Sequence, residues 1–220
     1  MSYSKILKIM SDAFIIGAVV LFLGAFGPVL LGELSYSAAK IFDFGWQLPV
    51  GNDYANNTSS NAVGSIISHK PLTLKPANLD SSIVIEKIGV SAPVVLNVPV
   101  TDEAAYKEAL KYGVAHAKGS ALPGENGNAY IFAHSSINFW ELGKYATVFN
   151  LLNKLEAGDR IVLFYNKQRF DYEVVDNRVV SGWNTLPILR QTTYPILTLQ
   201  TCDPPGTVIN RRIVTAKLVA

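Results

Sequence analysis

Cys202 is the only cysteine in the 220-residue chain, and it ends the run Thr198-Leu199-Gln200-Thr201 just before Asp203-Pro204-Pro205-Gly206. A lone thiol has no internal disulfide partner, which leaves two roles: a small buried filler or a nucleophile. The position favours the nucleophile, since the β-prone run holds the side chain while the loop beyond leaves it accessible. An ordinary thiol titrates near pH 8.5 and an imidazole near 6.5. The two together supply a thiolate and a proton donor near neutral pH once the fold brings them into reach.

Three histidines compete for the partner role. His134 is the best placed: it follows the apolar run Ala129-Tyr130-Ile131-Phe132-Ala133 and opens the polar Ser135-Ser136-Ile137-Asn138 loop. His116, in Gly113-Val114-Ala115-His116-Ala117, follows a predicted helix and is the second candidate, with a supporting or purely structural role as its other reading. His69 lies in a polar spacer and reads as a solvated loop histidine. Acyl transfer also needs a group that holds developing negative charge. Arg211 and Arg212 begin the last predicted strand and therefore point to opposite faces, so only one can face a cleft shared with Cys202. Each alone reads equally well as a solvated strand-end arginine.

The elements that must position these residues are short and β-rich from Ser81 onward. Residues 83–85, 94–96, 129–133, 160–165, 170–175, 196–201 and 212–218 read as strands, with a turn at Asn166-Lys167. Residues 102–110 read as a helix capped by Thr101 or Asp102, with Gly113 beyond its end, and 148–155 as a second short helix. Many strands, two short helices and no βαβ rhythm predict a mostly antiparallel closed barrel. About 140 residues bury an adequate core without disulfides.

Ahead of this domain, Ala13 to Gly32 runs for 20 residues without a charge. That length suits a helix crossing a hydrocarbon core about 30 Å thick, and it concentrates the excess behind the chain's 49% hydrophobic content. Lys5 and Lys8 precede the run, so the positive-inside rule places residues 1–12 in the cytoplasm, an anchor at 13–32, and 33–220 outside. A cleaved signal peptide is the rival reading, but its apolar region is usually only about 7–15 residues long. Residues 33–80, with the polar stretch from Gly51 to Asn61, read as an extracytoplasmic spacer before a catalytic domain at 81–220.

Several function classes lose support. A net charge of +2 with 16% charged residues lacks the basic bias of a nucleic-acid binder. One cysteine and three scattered histidines, without HExxH or CxxC, offer no zinc spacing. The segment from Ser181 to Pro195 has no carboxylate, which argues against calcium dependence, and no phosphate cradle or dinucleotide fingerprint occurs. No cofactor is expected.

Three blocks then resemble one family. Thr198-Leu199-Gln200-Thr201-Cys202 resembles the TLxTC signature of sortases. Residues 119–128 followed by Ile131-Phe132-Ala133-His134-Ser135 resemble the segment that carries the sortase histidine, and Arg211-Arg212-Ile213-Val214 the strand that carries the sortase arginine. The resemblance covers about residues 80–220, in the family's order of His, Cys, Arg. It implies an eight-stranded sortase barrel and a cysteine transpeptidase in which Cys202 attacks an LPxTG-like sorting signal. It further implies His134 as proton carrier, Arg211 as holder of substrate or oxyanion ahead of Arg212, and Thr201 as a substrate-positioning neighbour. The implied partners are surface proteins bearing a C-terminal sorting signal, and a peptidoglycan precursor or protein amine as acceptor. Ala133 stands where relatives usually have Gly, and Ser135 where Arg is frequent. The lack of a later transmembrane run and of an Asp-Pro-aromatic lid suggests a housekeeping rather than a pilin-polymerising member. The competing expectation is a non-catalytic, membrane-tethered β-domain that binds a wall polymer or protein partner. An unrelated transpeptidase crosslinking stem peptides fits less well, because no histidine lies near Cys202 in sequence.

Overall fold

The computed structural model describes residues 71–135 and 144–220, with residues 8, 10–22, 24, 33, 34 and 37 near the amino terminus. Eight strands close a barrel in the order β1-β2-β3-β4-β7-β8-β6-β5. They are β1 Ser81–Ile85, β2 Val90–Val98, β3 Val114–Ala117, β4 Gly127–Phe132, β5 Arg160–Tyr165, β6 Gln168–Ser181, β7 Pro195–Asp203 and β8 Asn210–Leu218. The pairing is mostly antiparallel, as the strand-rich sequence predicts; β2 with β3 and β4 with β7 are the parallel pairs.

Alternation along the strands divides the barrel into two faces. Ala129, Ile131 and Ala133 from β4 and its exit join Leu197 and Leu199 of β7 and Val214 and Ala216 of β8 in one buried core. The intervening residues, Tyr130 and Phe132, Thr198 and Gln200, Ile213 and Thr215, therefore form the outer row of the same three strands. The loop from 182 to 194 crosses over this outer row. Asn128 pins it, donating from Nδ2 to the carbonyl of Pro187 at 3.0 Å while its Oδ1 accepts from Thr198 at 2.8 Å. Pro187 belongs to the short helix Leu186–Leu189.

Local rules account for the connections. Asp102 caps the helix Glu103–Ala109 by accepting from the Ala105 N–H at 3.0 Å. Asn166 and Lys167 both take left-handed φ, 49° and 63°, which gives the β5–β6 hairpin the twist that two-residue turns require. The helix expected over 148–155 is instead a run of turns ending in a single 3-10 turn, Leu152–Lys154. Packing explains the difference: Phe149, Leu152 and Leu155 all reach the core, a spacing that consecutive tight turns satisfy. Strand β3 was not expected, since four residues around His116 carry no alternation to read.

Residues 71–80, assigned to the spacer on sequence, pack on the barrel. Leu72 and Leu74 cover Val84, Val162 and Phe164 on the outside of β1 and β5. Glu86 accepts from Thr73 Oγ1 at 2.7 Å and pairs with Arg160 at 2.5 Å, and Arg160 also donates to the Pro71 carbonyl at 3.1 Å.

Of the expected membrane span at 13–32, residues 13–22 and 24 are described; among the described residues, no helix is long and apolar enough to cross a membrane. Residues 10–22 are helical, as is residue 24. Their large apolar side chains, Phe14, Val19, Leu21 and Phe22 among them, are exposed. Residues 23 and 25–32 of the expected span, and His69 with the rest of 38–70, lie outside the described residues.

Candidate active site

Cys202 stands near the end of β7, directly opposite Arg211 of β8 in the antiparallel register. Residues opposite one another project to the same face. Cys202 therefore shares the outer row with Arg211, while Thr201 shares the inner row with its own partner, Arg212. The third residue arrives from β4, which runs parallel to β7 with Phe132 level with Gln200. The alignment persists past the last pair: the Ala133 N–H donates to the Gln200 carbonyl at 3.1 Å, and Thr201 Oγ1 donates to the Ala133 carbonyl at 3.0 Å. Two residues beyond Phe132 and Gln200 come His134 and Cys202. Three neighbouring strands thus bring His134, Cys202 and Arg211 to one end of one face.

Further contacts brace that end. Tyr130 donates its hydroxyl to Gln200 Oε1 at 2.5 Å along the same outer row. The Gly206 N–H donates to the Ser135 carbonyl at 2.6 Å, tying the β7–β8 loop to the segment that leaves His134.

The electrostatics define the resting protonation. Burial pushes the Cys202 thiol above its ordinary value, and the Arg211 charge opposes that rise. Burial pushes the His134 imidazole down, and the charge of Lys107 adds to the drop. Thiol and imidazole are both neutral at rest near pH 7. Among the described residues, His134 Nε2 is buried without a hydrogen-bond partner, as is the Ser135 hydroxyl. Arg211 donates from Nη1 to the carbonyls of Val208 and Asn210, both at 3.1 Å.

The inner row behaves differently. Arg212 donates from Nε to Asp203 Oδ2 at 2.8 Å and from Nη1 to Asn177 Oδ1 at 3.3 Å. Asn177 in turn donates to the carbonyls of Leu152 at 2.9 Å and Leu155 at 2.7 Å. This network was not read from the sequence, although two-residue alternation from Thr201 to Asp203 hinted at it. It forms one wall of a cavity of about 220 Å³ lined by Thr147, Asn150, Thr201, Cys202, Asp203 and Arg212.

His116 is fully buried away from solvent in β3. Its Nδ1 accepts from the Asn97 N–H at 3.4 Å, while Nε2 faces the Ala121 carbonyl at 2.9 Å and Ser120 Oγ at 2.8 Å. With both nitrogens engaged, it pins the turn that follows β3. Among the described residues no three His, Cys, Asp or Glu side chains gather as a metal site would require.

The fold is a closed eight-stranded barrel with a cysteine, a histidine and an arginine at adjacent strand ends. A family model described as the sortase domain matches residues 83–219. The chain belongs to the sortase family. Sortase D of Bacillus subtilis (strain 168) is 31% identical over 134 residues, 60% of this chain and 59% of that protein. The match thus spans about three fifths of that relative's length. The crystal structure of sortase C-1 from Actinomyces oris is similar at TM-score 0.53 and 30% identity, over 66% of this chain and 76% of the other. A Clostridium perfringens sortase D5 transpeptidase is similar at TM-score 0.51 and 29% identity, over 67% and 82%.

Proposed function

We propose that the protein is a membrane-anchored cysteine transpeptidase that cleaves an LPxTG-like sorting signal and passes the protein to an amine of the cell wall or of another surface protein. The convergence of His134, Cys202 and Arg211 on one face is the observation that carries this reading. The Cys202 thiolate attacks the carbonyl carbon of the scissile Thr–Gly bond, and the carbonyl electrons move to oxygen. Arg211 donates to that oxyanion or to a neighbouring substrate carbonyl. As the oxyanion collapses, the C–N bond breaks and protonated His134 gives its proton to the departing amine. A thioester on Cys202 remains. An incoming amine attacks it, His134 takes up the amine's proton, and collapse expels the Cys202 thiolate, completes the new amide and regenerates the thiolate–imidazolium pair.

Thr201 contributes position: its hydroxyl binds the Ala133 carbonyl and holds the ends of β4 and β7 together. Arg212 and His116, the secondary candidates, are committed to folding contacts. The anchor at 13–32 is supported by its unbroken apolar sequence and by the exposed apolar side chains at 10–22. It places the catalytic domain outside the membrane, with the amino terminus in the cytoplasm and no cofactor required.

Mass spectrometry of the full chain in detergent, incubated with a small library of LPxTG-type peptides with and without an added amine, tests the reading. The expected result is cleavage that depends on Cys202 and exchange of the carboxyl-side product for the amine. Folded protein that forms no adduct with the library or with the organism's own candidate signals would instead support a binding domain.

A further inference from the structure

One polar end on the outer row is used neither by the fold nor by the proposed chemistry. Gln200 stands level with Phe132 of β4 on one side and Ile213 of β8 on the other. Ile213 is buried, and Phe132 packs edge-on against Tyr106 of the helix Glu103–Ala109, with ring centroids 6.2 Å apart. The other polar groups along this stretch are engaged. Thr198 donates its hydroxyl to Asn128, and the buried Tyr130 donates its own to Gln200 Oε1. Burial holds the Tyr130 hydroxyl above its ordinary range, with the Arg211 charge opposing, so it stays protonated and able to donate. Among the described residues, that bond is the only one the Gln200 side chain makes. With Oε1 held, the two N–H donors of Nε2 have no partner, on a half-buried side chain flanked by hydrocarbon. A donor in that setting favours a ligand acceptor and disfavours an aliphatic group that would bury it unpaired.

The position of Gln200 says which part of a substrate it meets. It lies two residues before Cys202 on the same face, about 6.6 Å along the strand. Strand β7 ends one residue past Cys202, at Asp203, so from the thiol the row runs only toward Gln200. In the proposed reaction the acyl part of the signal stays on Cys202 between the two steps, while the amine part leaves. The segment before the scissile threonine is therefore the one that needs a floor. In an LPxTG-like signal, leucine and proline carry no side-chain acceptor, and the threonine sits at the thiol. Only the variable position can offer one.

We infer that Gln200, oriented by Tyr130, is the specificity-determining residue for that variable position. It selects a side chain bearing a carbonyl or carboxylate oxygen, Asn, Asp, Gln or Glu, over an aliphatic one. The inference rests on the transpeptidase reading and deepens it by naming the signal that the site prefers.

The test measures kcat/KM of the full chain in detergent for two LPxTG-type peptides that differ only at the variable position, Asn against Leu. The pair is close in size and uncharged, which takes the Arg211 charge out of the comparison. Wild type should prefer Asn about tenfold, the worth of one hydrogen bond. Gln200→Leu should abolish that preference, and Tyr130→Phe should narrow it by releasing the amide. Gln200→Glu keeps an oxygen for Tyr130 but replaces the donors with a carboxylate, so a Lys peptide should overtake the Asn peptide. Each ratio is read within one variant, so a general loss of activity cancels. Equal turnover of Asn and Leu peptides by wild type, or a preference that Gln200→Leu leaves unchanged, would overturn the assignment. Cys202-dependent cleavage in the same experiment would leave the transpeptidase reading standing. Absence of cleavage of every peptide by wild-type protein with an intact melting transition would overturn that reading and the assignment together.

Discussion

Arg211 and Arg212 are neighbours in sequence, yet they stand on opposite faces at the end of β8 and keep different company. Arg212 on the inner row meets Asp203, Asn177 and, through Asn177, two carbonyls of the 3-10 turn, so its donors serve to join β6, β7 and β8. Among the described residues, Arg211 on the outer row donates to the carbonyls of Val208 and Asn210, and its charge acts on the Cys202 thiol. His134, at the same end of the outer row, keeps a ring nitrogen with no partner among the described residues. Saturated polar groups hold a fold together, whereas a buried group with unused valence keeps capacity for a further hydrogen bond. One step of strand alternation separates the two conditions.

The contrast breaks most visibly at the proposed nucleophile. Cys202→Ala is expected to lower transpeptidation by roughly three orders of magnitude or more, with the thermal midpoint nearly unchanged because the thiol is only partly buried. Peptide turnover and a melting curve on the same sample check both halves. The arginines should then separate. Arg211→Ala should lose about 10²–10³-fold in kcat/KM with little loss of stability. Arg212→Ala should lose about 1–3 kcal/mol of stability, since Asp203 and Asn177 are left half-satisfied. It should keep most of its activity below its lowered midpoint. Equal activity losses in the two folded variants would dissolve the distinction between the rows.

The pH response sharpens the same comparison. Burial raises the Cys202 thiol, so alkylation by iodoacetamide should climb about tenfold per pH unit through neutrality and level off only above the ordinary thiol value. Arg211→Gln removes the opposing charge, so the midpoint should move further up; a downward move would mean that Arg211 does not face the thiol. Burial also lowers His134, so the form with a proton on His134 and none on Cys202 is a minor one. Turnover should therefore fall on both sides of an optimum between the two titrations.

The smallest effect belongs to Thr201. Thr201→Val keeps the shape but loses the bond to the Ala133 carbonyl, at about 1 kcal/mol. Turnover should drop about tenfold as His134 loses its placement, a misalignment cost of the kind expected for small displacements at a reacting centre. Thr201→Ser should restore it.

Much of this was legible before the fold. A single cysteine at a strand end, a histidine closing an apolar run and seven recognisable strands already outlined a barrel with a thiol site. Asp102 was readable as a cap, since capping is a local hydrogen bond. Strand β3 was not, because four buried residues carry too few positions for a period. Nor was the packing of Leu72 and Leu74 on β1 and β5, which depends on Val162 and Phe164, far away along the chain.

By itself, then, the sequence determined the reactive groups, the β-rich class and the alternation that puts Arg211 and Arg212 on opposite faces. Which arginine meets the thiol, and which histidine stands level with it, was decided by the tertiary structure. Register between β4, β7 and β8 is set by core packing around Ile131, Leu199 and Val214. A shift of one residue would have exchanged every role, and no local property of the chain records that choice.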